Sequence, residues 1–351
     1  MDLTTFPPDV GVAIVAHNNR DALGPTLAAL AAARCHPSAI VVIDVASTDG
    51  TPEWLREAHP QVTVERLGAN DGPNPARNLG IRRCRHPYVF LMDADVQVLP
   101  DTVQRLRSAM AGDPRITIGS PIVVHLDAPD RIQYAETSLH FLCEAINPWA
   151  NRPLAERGTM ARDIGVAPAC GLLLHRQAAI DVGLFDERYF MGKDDGDFTH
   201  RTRLAGHRIL ELPEALLLHR SRPRSAWLFY YQIRNRWHFM LKNYQWRTLV
   251  LILPCLLVHE PLQLVVLHLK GHGRAYWRAV GGLLLMLPRL GRDRAFVKGI
   301  RALPDRALLK SDPLVVRDDL VGNPIARLGK RAYDRCLQGY WRFITATGLI
   351  G

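Results

Sequence analysis

What constrains this chain most is an alternation in its first hundred residues: short, unbroken apolar runs rich in β-branched side chains, separated by stretches with helical periodicity. Gly11 to Ala16 (GVAIVA), Ile40 to Asp44 (IVVID), Val62 to Arg66 and Tyr88 to Met92 (YVFLM) read as strands. Between them, a helix capped by Asp21 is expected through Leu23, Leu27, Leu30 and Ala33, with further helices over Thr51 to Ala58 and Pro75 to Cys84. Unbroken apolar strands joined by crossovers of this length predict a parallel α/β sheet covered on both faces. The 351 residues leave room for two domains, and for a core that needs no disulfide or metal staple.

In such sheets ligands bind beyond the carboxyl ends of the strands. Those ends carry His17-Asn18-Asn19-Arg20, then Asp44 followed by Ala46-Ser47-Thr48-Asp49-Gly50-Thr51, then Asp93-Ala94-Asp95. Two carboxylates flanking a small residue can hold a divalent cation whose other positions are filled by diphosphate oxygens and water. The loop from Gly68 to Asn78 is rich in Gly, Asn and Pro, which suits a backbone that approaches a ligand closely. A second acidic cluster, Asp194-Asp195-Gly196-Asp197, opens a helix expected to end at Gly206. Three acids in four residues exceed what a helix N-terminus needs, so at least one is expected to face a cleft, where a carboxylate can serve as general base. His219 closes the apolar run Ala215 to Leu218 and is a candidate third contact to a cation held at Asp95.

Charge divides the chain. Residues 1–220 carry 22 Lys+Arg against 27 Asp+Glu, a net of −5, while residues 221–351 carry 22 against 7, a net of +15. The second part also holds the apolar runs Thr248 to Leu269 and Val280 to Leu287, flanked by arginines. Pro254, His259, Glu260 and Pro261 interrupt the first run, so broken helices lying in one leaflet are expected rather than a spanning helix. The alternative is a helical hairpin packed on the first domain. Basic residues accompanied by long apolar runs, beside an acidic rim, fit an anionic membrane surface and not nucleic acid. The six cysteines are too widely spaced for a CxxC motif and read as reduced and mostly buried. The N-terminus lacks a signal-peptide apolar core, from which a cytoplasmic protein is expected.

Four landmarks occur in order: VAIVAHNN with IVVIDVASTDGT; NDGPNPARNLG once the leading glycine and alanine of its loop are passed; FLMDAD; and PACGLLLHR leading to GLFDERYFMGKDDGDFTHRTRLAGHRI and LLLH. With these, Val12 to about Tyr244 resembles a family 2 glycosyltransferase of the GT-A fold, including bacterial rhamnosyltransferase-like enzymes. The resemblance implies an α/β, Rossmann-like nucleotide-sugar-binding domain over 1–220 and a mainly helical, membrane-associating region over 221–351. It implies that Asp44 contacts the nucleotide base, that Arg77 lies near the nucleotide and its phosphates, and that Asp93 and Asp95 are the DxD pair. Asp95 and His219 would ligate a divalent cation, Mg2+ or Mn2+. Asp195, beside Asp194, would be the catalytic base, and Cys170 and Gly171 would lie on the acceptor side. Val45 and Asp194 depart from the family's frequent Asn and Glu. The implied activity is inverting transfer from a UDP- or dTDP-sugar to a hydroxyl of a lipid-linked or cell-surface glycan, at the cytoplasmic face of the membrane, by a peripheral or monotopic enzyme. Transfer to a polyprenyl phosphate, and a non-catalytic nucleotide-sugar-binding scaffold, are the alternatives.

Overall fold

The computed structural model describes residues 5–220, 225–314 and 324–350. They divide into two compact units. Of the described residues, the first draws on 5–136, 149–190 and 207–220, and the second on 137–148, 191–206, 225–314 and 324–350.

The described part of the first unit is built on a ten-stranded sheet. Its strands are β1 (Val10–Ala16), β2 (Ile40–Val45), β3 (Thr63–Leu67), β4 (Tyr88–Asp93), β5 (Val96–Val98), β6 (Ile116–His125), β7 (Ala128–Tyr134), β8 (Arg162–Asp163), β9 (Gly171–His175) and β10 (Arg208–His219). Its helices are α1 (Arg20–Ala32), α2 (Thr51–Ala58), α3 (Pro73–Arg83), α4 (Thr102–Ala111) and α5 (Arg176–Asp181). The main path runs β8-β10-β6-β9-β4-β1-β2-β3, with β5 on β10 and β7 on β6. The four strands read from the alternation, β4-β1-β2-β3, are all parallel. The sheet as a whole is mixed, because β9 lies antiparallel between β4 and β6. Apolar run length reports that a strand is buried and says nothing of its direction. Every residue of β1 and β2 is buried, and Ile14, Ile43 and Phe90 are completely enclosed. Each such side chain contributes about 1.5–3 kcal/mol by leaving water.

Register aligns the strand ends. Ala16 pairs with Asp44 and Val15 with Asp93, so β1, β2 and β4 finish at one rim. The start of α1 is held from β2's side rather than by Asp21: Asp49 Oδ2 accepts the Arg20 N–H at 3.1 Å, and its Oδ1 accepts both the N–H and the hydroxyl of Thr51. One rim carboxylate expected near a ligand is therefore a helix clamp.

The second unit is helical. It contains α6 (Asp194–Leu204), α7 (Leu228–Asn243), α8 (Trp246–Leu269), α9 (Gly273–Met286), α10 (Leu290–Ile300), α11 (Asp305–Leu308) and α12 (Pro324–Ala346). A small sheet joins Leu309–Lys310, Ser138–His140 and Ala145–Ile146. The expected break at Pro254 to Pro261 is absent: α8 is one continuous 24-residue helix with both prolines inside it. The Glu260 charge is accommodated on it because the carboxylate is paired within the unit. Arg236 of α7 forms an ion pair with it, and Trp237 Nε1 and the Tyr276 hydroxyl donate to its Oε2 at 3.1 and 3.0 Å. His259 bonds the Tyr333 hydroxyl of α12 at 3.0 Å. Among the described residues α8 is the one helix long and apolar enough to cross a membrane. All six cysteines are free, five of them buried.

Candidate active site

The site is assembled at the rim where the parallel strands end. Asp93 closes β4, and Asp95 follows two residues later, just before β5. β5 pairs antiparallel with β10, setting Val96 opposite His219. That register carries an imidazole from 124 residues downstream, counting from Asp95, to within 3.7 Å of Asp95 Oδ1. One donor atom from each of Asp93, Asp95 and His219 lies within 4.8 Å of the other two, and this is the one such cluster among the described residues. Two carboxylates and an imidazole are the donor chemistry of Mn2+ or Mg2+ sites, and three protein ligands leave positions for phosphate oxygens and water. The residues present fit a divalent cation. His219 Nδ1 lies 2.8 Å from Gln133 Oε1 on β7.

Behind this cluster, Arg77 on α3 is buried. Its Nη2 donates to Asp93 Oδ1 at 3.3 Å, its Nη1 to Asn74 Oδ1 at 3.1 Å, and its guanidinium lies over the Phe185 ring. Asp44 is fully buried at the end of β2. Its Oδ2 accepts the Ser47 N–H and lies 3.4 Å from Arg66 Nε, while Oδ1 has no hydrogen-bond donor among the described residues. A buried carboxylate oxygen without a donor carries a desolvation penalty of about 1–3 kcal/mol that a ligand N–H would remove.

Two stretches singled out in the sequence also have structural roles. Gly72 does have the left-handed backbone that suits glycine, at φ 92°, but what approaches it is the chain itself: a Cβ there would lie 2.5 Å from the Phe190 carbonyl oxygen. Asn74 donates to the Tyr189 carbonyl, and Asn78 exchanges hydrogen bonds with the Phe185 backbone and donates to Glu187. Two of the three asparagines of the NDGPNPARN run thus pin the 185–190 segment to α3. At the pair expected on the acceptor side, the Cys170 carbonyl accepts the Asp93 N–H at 3.0 Å. Gly171 is where β9 packs on β10, since a Cβ there would sit 2.5 Å from Leu217 Cδ2. This pair fixes the height of Asp93, which sequence reading had no means to see.

Asp194 and Asp195 belong to the second unit, at the start of α6. Asp195 Oδ1 accepts the Gly196 N–H at 2.7 Å and the side chain is half-buried. Asp194 is buried. Asp197 is fully enclosed and multiply bonded: Arg201 donates to Oδ2 at 2.9 and 3.0 Å, and Asn243 and Lys242 reach Oδ1 at 2.8 Å. The third acid of the cluster is structural.

Residues 11–182 match the sequence profile of Glycosyl transferase family 2. Those residues form a family 2 glycosyltransferase domain. As a glycosyltransferase the chain is similar to N-acetylglucosaminyl-diphospho-decaprenol L-rhamnosyltransferase of Mycobacterium tuberculosis, with 29% identity over 214 residues, 55% of this chain and 70% of that one. It is also similar to succinoglycan biosynthesis protein ExoO of Rhizobium meliloti, with 31% identity over 134 residues and 38% of each chain. Among solved structures, GalNAc-T7 with UDP, GalNAc and Mn2+ matches with a TM-score of 0.56 at 18% identity, over 70% of this chain. The glycosyltransferase spans about half of that structure's length, 49%, and the likeness shows the GT-A fold.

Proposed function

We propose that this glycosyltransferase moves a sugar, with inversion, from a nucleoside-diphosphate-sugar to a hydroxyl of a lipid-linked or cell-surface glycan. The observation that carries this reading is the convergence of Asp93, Asp95 and His219 at the ends of β4 and β10. A divalent cation bound there supplies charge neutralisation for the departing nucleoside diphosphate. Arg77 orients Asp93 through its guanidinium and adds positive charge beside the phosphates. Asp44 Oδ1, buried and lacking a donor, suits the imide N–H that uracil and thymine share, which favours a UDP- or dTDP-sugar. Asp195 takes the proton from the attacking hydroxyl, with Asp194 beside it. Cys170 and Gly171 border the acceptor side. The relative acting on a decaprenyl-diphosphate-linked sugar supports a lipid-linked acceptor, and the structure solved with Mn2+ supports the cation.

Membrane association at the cytoplasmic face belongs to the same proposal. Trp246, Val250, Leu253, Leu257, Pro261, Val265 and Leu269 recur every three or four residues along α8 and are all exposed, Leu257 by 67%. That stripe, within a region of net +15, suits an anionic lipid surface approached side-on, with Glu260 outside the stripe, about a quarter-turn round the helix, and paired. The test is a panel of UDP-, dTDP- and GDP-sugars with membranes supplying acceptor and released nucleoside diphosphate as readout. Release from a UDP- or dTDP-sugar that requires a pre-existing lipid-linked sugar is the expected result. Product from lipid phosphate alone replaces the acceptor assignment with polyprenyl phosphate, and no release with any donor defeats the proposal.

A further inference from the structure

We propose that Gln133 is a positioning residue for the cation site: its side-chain carbonyl selects the His219 tautomer whose Nε2 is left as a lone-pair donor toward Asp95. This rests on the reading of Asp93, Asp95 and His219 as cation ligands. β7 pairs with β6, with Ile132 opposite Val124, and β6 pairs with β10, with His125 opposite His219. Two strand pairings thus bring a glutamine from 86 residues upstream against the imidazole, at 2.8 Å from Oε1 to Nδ1. An amide carbonyl oxygen only accepts hydrogen bonds, so the proton sits on Nδ1. A neutral imidazole carries one ring proton, which leaves Nε2 unprotonated.

Nε2 is the atom 3.7 Å from Asp95 Oδ1. That separation is too long for a hydrogen bond and fits two ligands flanking one cation. Without Gln133 the ring is free to turn and to exchange tautomers, and both freedoms must be lost again when the cation binds. Outer partners of ligating histidines are typically worth about 10–100-fold in metal affinity.

The experiment is Mn2+ binding to the full chain, followed by the electron paramagnetic resonance of free Mn2+, with no sugar donor present. Gln133→Leu should weaken Mn2+ binding about 10–100-fold with Tm unchanged. Gln133→Met, closer in volume, gives the same readout if the leucine variant does not fold. Gln133→Glu, which restores an acceptor at the same place, should bind at least as tightly as the native chain. Native-like Mn2+ affinity in Gln133→Leu and Gln133→Met, or a Glu variant as weak as they are, overturns the positioning role. Native-like affinity in Asp95→Ala overturns the cation reading itself, so the two failures are distinguishable.

Discussion

Two sets of carboxylates, one in each unit, are treated in opposite ways. In the first, Asp44 keeps a buried oxygen without a donor, and Asp93 and Asp95 crowd His219 at open strand ends. In the second, Asp197 is enclosed by Arg201, Lys242 and Asn243, and Glu260 is held by Arg236, Trp237 and Tyr276. A strand that stops at a rim presents its last side chain with few neighbours. Helices packed side by side surround theirs, and a buried charge survives there only if it is paired. The same residue type is therefore open to a ligand at Asp44, Asp93 and Asp95 and committed to the fold at Asp197 and Glu260, as it also is at Asp49 in the first unit.

The largest effect expected from breaking this contrast is on transfer. Asp195→Asn should lower turnover about 100- to 10,000-fold while donor binding and Tm stay native, measured by nucleoside diphosphate release and by donor titration. Near-native turnover would remove Asp195 from the mechanism. Asp197→Ala, two residues away, should behave in the opposite sense, destabilising the fold by about 3–5 kcal/mol because Arg201 and Lys242 lose their buried partner. Denaturant unfolding measures it, and an unchanged midpoint would contradict the assignment.

Acid sharpens the comparison further. Burial pushes the His140 imidazole down to about 3 and that of His200 down to about 4, and both lie in the second unit. Their folded values lie below the unfolded value near 6.5, so the unfolded chain binds these protons first. Stability is complete above about pH 6.5 and falls as pH drops toward 4 and then 3, by about 1.4 kcal/mol per pH unit for each histidine. His140 also accepts the Leu142 N–H through Nδ1, a bond that protonation breaks. Unfolding midpoints from pH 8 to pH 4.5 should show this decline, and His200→Gln should flatten part of it. The smallest effect on stability is expected on the exposed stripe of α8, where Leu257→Glu should change unfolding by within about 0.5 kcal/mol. The same variant should weaken sedimentation with anionic vesicles, and unaltered binding would argue against α8 as the contact.

Much of the first unit was legible in the chain. Three apolar runs located β1, β2 and β4, the mixed run VTVER located the exposed β3, and the polar residues after them located the rim, because strand burial and strand termination are local properties of composition. The DxD pair and Asp44 were visible for the same reason. The acidic cluster was visible as a cluster, but nothing local distinguished Asp195 from Asp197, since the partners of Asp197 include Lys242 and Asn243, far along the chain. The asparagines near Arg77 read as loop residues for a ligand, yet two of them bind the 185–190 backbone.

By itself, then, the sequence determined the alternation that builds a sheet, the residue types at its carboxyl rim, the ordered landmarks of a family 2 glycosyltransferase and the split of charge along the chain. Tertiary structure alone decided that β9 runs antiparallel, that strand register brings His219 to Asp95 and Gln133 to His219, and that α8 continues past Glu260. The reason is physical. Hydrophobic periodicity is set by neighbours along the chain, whereas the pairing of a charge or the tautomer of a ring is set by atoms brought close from distant positions, and only packing specifies which those are.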